Sequence, residues 1–91
     1  METYWFGWDF QVEQEFPDAR AVRQWARETV YAAEIEDRFY LIHDRSLLAD
    51  FSCPALPGPD EEGWVEVIEF DNFEDRDVYL EERWPHYPLS L

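Results

Sequence analysis

Apolar and polar side chains alternate over the first stretch of the chain. Tyr4, Phe6, Trp8, Phe10 and Val12 fall on one face, and Thr3, Trp5, Gly7, Asp9, Gln11 and Glu13 on the other. A period of two predicts a half-buried β-strand from Thr3 to Glu13, with Gly7 marking a bulge or a close approach of another element. The period then lengthens. Ala19, Val22, Trp25 or Ala26, Thr29, Val30 and Ala33 recur at helical spacing, which predicts a helix from Phe16 to about Ala33 with one stripe facing a sheet. Pro17 fits its first turn, and Asp18 suits the positive end of the macrodipole. Arg20, Arg23 and Arg27 lie opposite that stripe and are expected to pair with acids of the same molecule.

A second strand is predicted at Arg38–His43, and Asp44-Arg45-Ser46 reads as a tight turn into a hairpin limb at Leu47–Ser52, a stretch that also fits a helical turn. Pro54 to Gly63 holds three prolines and two glycines and reads as a loop. Trp64–Phe70 is the next predicted strand, apolar on nearly both faces except at Glu66 and Glu69. Asp71-Asn72 can cap a short helix with Glu74 and Asp75 in its first turn, which Pro85 brings to an end before an irregular tail. The predicted fold is therefore α+β: one small domain, an antiparallel sheet of three to four strands packed on one long helix, with a short C-terminal helix.

Composition changes this picture in two ways. Five Trp, five Tyr and seven Phe in 91 residues let a small domain bury a sufficient core, since each such ring removes roughly 150–250 Å² from water. The net charge of −15 repels itself and disfavours contact with nucleic acid or an anionic membrane. Acidity can serve solubility alone, but it is unevenly spread: residues 60–84 hold eleven acids against Arg76 and Arg83. Apolar residues interleave with those acids, so the charge is expected on folded structure and not in a disordered tail.

Little in the chain suggests catalysis. Cys53 with His43 and His86 has no surrounding nucleophile signature, and a lone cysteine is more often a small buried hydrophobe. The run Asp71 to Asp77 resembles a calcium loop only superficially, because Arg76 stands where the loop needs glycine. No cofactor, metal or enzymatic activity is expected. With one cysteine and no apolar N-terminal segment, the expected compartment is the cytoplasm.

The acids themselves are the candidate chemistry. Side chains two apart on a strand, or three to four apart on a helix, stand about 5–7 Å from one another, close to the spacing of successive phosphates. Glu69 and Asp71, then Glu74, Asp75, Asp77, Glu81 and Glu82, are expected to form a row of negative charge, extended at the other end of the strand by Asp60, Glu61 and Glu62. Such a row suits the basic nucleic-acid groove of another protein, and in size and charge the chain resembles the small acidic inhibitors of CRISPR effectors or restriction enzymes, which implies a nucleic-acid mimic. The alternative is an immunity protein or antitoxin that blocks a basic nuclease, with aromatic anchors drawn from Trp5, Trp64, Tyr79, Trp84 and Tyr87. Pairing of two copies to lengthen the acidic face is left open.

Overall fold

The computed structural model describes residues 1–7, 10–24, 28–45 and 64–85. Its centre is one antiparallel sheet of five strands: β1 (Glu2–Phe6), β2 (Arg20–Gln24), β3 (Thr29–Ile35), β4 (Arg38–Asp44) and β5 (Val65–Phe70), in the spatial order β1-β5-β4-β3-β2. Two short helices flank it, α1 (Val12–Glu15) and α2 (Phe73–Arg83).

The long helix expected from Phe16 to about Ala33 is not there. Phe16 instead caps the end of α1, and the chain continues as β2 and β3, whose register pairs Arg20 with Ala32 and Gln24 with Thr29 around a bulge at Val22. The cause lies in burial on both faces. Along β3, Val30 and Ala32 face one side of the sheet while Tyr31, Ala33 and Ile35 face the other, so nearly every position is apolar and any periodicity can be read into the run. Val22, Thr29, Val30, Tyr31 and Ile35 are β-branched or aromatic and suit a pleated surface better than a helix.

The first strand is also shorter than its alternation predicts. Pairing with β5 stops at Phe6, and Phe10 N–H donates to the Gly7 carbonyl at 3.1 Å; Trp8 and Asp9 lie outside the described residues. Good helix formers follow at Glu13, Gln14 and Glu15, and α1 lays Val12 and Phe16 back over the sheet. Two further sequence readings hold: β4 covers the predicted Arg38–His43, and β5 covers Trp64–Phe70 but for its first residue. The predicted C-terminal helix forms as α2, with Asn72 Oδ1 accepting from Asp75 N–H at 2.8 Å. The limb at Leu47–Ser52 and the Pro54–Gly63 loop lie outside the described residues.

The two faces of the sheet carry separate cores. On one, Val30, Ala32, Leu41, Ile68 and Phe70 pack under Leu80 and Trp84 of α2. On the other, Ala33, Ile42, Val65 and Val67 pack under Val12 and Phe16.

Glu36 and Asp37 form the two-residue connection between β3 and β4, and both have positive φ, 49° and 70°. Twist-matched hairpin turns need that geometry, but side chains with a Cβ resist it, which is why Asn-Gly is the favoured pair. Glu36→Asn with Asp37→Gly is expected to stabilise the fold by about 1 kcal/mol, read as a rise of about 4–8 °C in the thermal midpoint by circular dichroism. An unchanged or lower midpoint would show that this turn carries no strain.

Candidate functional site

Helix α2 is held from beneath by three arginines. Arg23 of β2 donates to the Trp84 carbonyl at 2.7 Å and to Glu81 Oε2 at 2.7 Å. Arg76 reaches the Ala33 carbonyl at 3.4 Å and lies over the Phe39 ring. Arg83 turns inward and grips Glu66 bidentately, Nη1 to Oε2 at 2.9 Å and Nη2 to Oε1 at 2.7 Å, while also donating to the Tyr79 hydroxyl at 2.9 Å.

Glu66 is 5% exposed, and His43 beside it 6%. Carboxylates accept only, so the bond between His43 Nε2 and Glu28 Oε1 has the imidazole donating. His43 Nδ1 lies 3.7 Å from Glu66 Oε1, too far for a hydrogen bond. Burial alone would raise the Glu66 pKa, but the neighbouring His43 imidazole and then the Arg83 fork outweigh it and hold the group at about 2. A charged residue inside a strand buried on both faces must have such a partner, so the pattern Val65-Glu66-Val67 was the sequence signal for this cluster.

α2 shows solvent a face of carboxylates. Glu74, Asp75, Asp77, Glu81 and Glu82 are all exposed, set around the exposed Val78. Glu74, Asp77 and Glu81 follow one another at three- and four-residue spacing, hence about 5–6 Å apart, on a helix about 16 Å long. Asp71 lies just before the helix with its side chain 77% exposed and paired to Arg38 at 2.6 Å. Other members are partly engaged: Asp77 meets Arg76 at 3.2 Å and Glu81 meets Arg23 at 2.7 Å.

Glu69 does not join this row. It points to the opposite face of the sheet, where it accepts from the Tyr4 and Tyr40 hydroxyls at 3.3 and 3.2 Å and forms an ion pair with Arg38 at 3.2 Å. The expected aromatic anchors also change role. Trp64 and Trp84 are buried at 7% and 8% exposure, and Tyr79 packs between Phe70 and Trp84, because so small a domain needs its rings inside. Trp5 on the edge strand stays 45% exposed. Asp60, Glu61, Glu62, Cys53, His86 and Tyr87 lie outside the described residues.

Because the folded pKa of Glu66 sits below its ordinary value of 4.5, its contribution to stability is full above that value and is lost as the pH falls toward about 2. Glu66→Gln leaves Arg83 without its buried counter-charge and is expected to cost on the order of 3 kcal/mol at pH 7. The gap between wild type and variant in urea unfolding should then shrink steadily from pH 5 to about pH 2. A gap independent of pH would mean that the carboxylate charge contributes nothing.

Among the described residues no helix is long and apolar enough to cross a membrane, and no group of three or more His, Cys, Asp or Glu side chains is placed to hold a metal ion. Compared with protein-family models, with curated proteins and with solved structures, the chain matches none.

Proposed function

We propose that the protein is a small acidic inhibitor whose helix α2 occupies the basic nucleic-acid-binding surface of an enzyme, as a DNA or RNA mimic of the anti-CRISPR or anti-restriction kind. The observation that carries this reading is the solvent face of α2, with five exposed carboxylates while Arg83 is bound to the buried Glu66 and Arg76 reaches the Ala33 carbonyl. A basic groove that releases counterions on binding phosphates gains the same from carboxylates at similar spacing.

The face exists at a cost. Glu81 and Glu82 sit in the last turn, where the macrodipole disfavours anions, and the like charges of Glu74, Asp77 and Glu81 at helical spacing each oppose the helix by about 0.2–0.5 kcal/mol. Solubility gives no reason to concentrate charge there in a chain already at −15. The burial of Trp64 and Trp84 removes two of the anchors on which an immunity-type interface would draw, which favours the mimic over that alternative.

The test is capture of a basic nucleic-acid enzyme from the source cytoplasm on immobilised protein. Duplex DNA and a rise from about 0.05 to 0.3 M salt should both release it. The variant carrying Glu74→Arg, Asp77→Arg and Glu82→Arg should keep its circular dichroism spectrum and lose capture by at least about a hundredfold. Undiminished capture by the folded variant rejects the acidic face. A tight partner that DNA does not displace identifies an immunity protein instead.

A further inference from the structure

The face of the sheet opposite α2 carries a groove of about 480 Å³, framed by β1, the α1 segment, β4 and β5. Its floor is Val67, 2% exposed, and its walls are the rings of Tyr4, Phe6, Phe10, Phe16 and Tyr40. These form a nearly continuous circuit. Phe6 stacks on Phe10 with centroids 4.3 Å apart, Phe10 stands 6.4 Å from Phe16, and Phe16 stands 5.0 Å from Tyr40. Tyr40 and Tyr4 then meet through Glu69, which accepts from both hydroxyls. Tyr4 and Phe6 remain 43% and 38% exposed at the rim, an unusual use of rings in a chain that needs them for its core.

The electrostatics of the groove select its occupant. Glu69 and Glu15 line it, and Glu2 stands opposite Glu69 in the β1–β5 register. Arg38 offsets part of this charge, but it is shared between Glu69 and Asp71. A cation is therefore favoured over an anion or a neutral group. Both Glu69 oxygens are already engaged by Tyr4, Tyr40 and Arg38, so the inner wall offers negative charge and π-faces with little spare hydrogen-bonding capacity. Burial and then the Glu69 carboxylate push the Tyr40 phenol up, so it stays a neutral donor to Glu69. A bare ammonium or a guanidinium, each with several N–H groups to satisfy, is poorly served at that wall and must turn to Glu15, which is exposed to solvent. An alkylated ammonium, which needs rings and field but no acceptors, is well served.

We propose that this aromatic groove binds a small molecule bearing a methylated ammonium group. Its volume falls in the usual range for small-molecule sites and leaves room beyond the cationic head. The site faces away from α2 and is independent of the inhibitory reading.

Choline is the probe, titrated into ¹⁵N-labelled protein at a constant ionic strength of about 0.15 M, so that diffuse attraction to the acidic surface is screened. Saturable shifts are expected at the amides of Tyr4, Phe6, Phe10 and Glu69. The neutral carbon isostere 3,3-dimethylbutan-1-ol should bind at least about tenfold more weakly, and Tyr4→Ala, at an exposed position, should weaken choline about tenfold without altering the rest of the spectrum. Equal affinity for the neutral isostere, or no saturable shift, overturns the proposal. So does a trimethyl-lysine peptide binding more than about tenfold tighter than choline, because the occupant would then be a partner protein's side chain.

Discussion

The bidentate pair between Arg83 and Glu66 is the constraint on which the rest of this structure depends. A helix carrying five acids has to be fastened to a sheet within a chain of net charge −15, and apolar contact through Leu80 and Trp84 alone offers a narrow stripe. Placing one carboxylate inside the sheet and drawing the last helical arginine down onto it fixes the height and rotation of α2 together. Arg83 also lies over the Trp84 ring, with its guanidinium carbon 4.4 Å from the centroid, so charge and packing lock at one point. Removal of Arg83 would leave Glu66 buried without its guanidinium partner, which makes the pair more decisive for specificity of docking than for net stability.

The same inward turn shapes the outer surface. Arg83 is committed to the buried Glu66 and Arg76 is shared between the Ala33 carbonyl and Asp77, so the cations of α2 offset little of the charge on its outward acids. Arg23 reinforces this from β2 by reaching the helix end, where it donates to the Trp84 carbonyl. The internal pairing expected of the arginines is thus met at Arg23, though from a strand and not from a helix.

What could be read in advance follows from how many faces an element buries. β4, β5 and the Asn72 cap were legible because strong apolar runs or a specific capping side chain marked them. β3 was not, since apolar residues on both of its faces erase the period of two, and the helix inferred through it absorbed β2 as well. On α2, the spacing of Glu74, Asp77 and Glu81 gave the acidic face directly, whereas Glu69 belonged to it only while strand and helix were read as one continuous line. The roles of Trp64 and Trp84 were hidden for a different reason. Ring count alone does not say which aromatics fill the interior and which stay at the edge, and here the late tryptophans went inside while Tyr4, Trp5 and Phe6 stayed out.

The two acids of β5 show how little sequence is needed to organise both sides of a sheet. Glu66 and Glu69 are three residues apart, an odd separation, so they project from opposite faces. One receives Arg83 and fixes α2; the other receives two tyrosine hydroxyls and fixes the ring-lined groove. An even separation would have put both on one face, overloading it with charge and leaving the other without an anchor. A slip of β5 by one residue against β4 would move Glu66 among Val12 and Phe16 and carry Val65 and Val67 under the helix, so each acid penalises the wrong register on behalf of the other. The charges that cost most to bury are therefore the ones that make the sheet's alignment unambiguous.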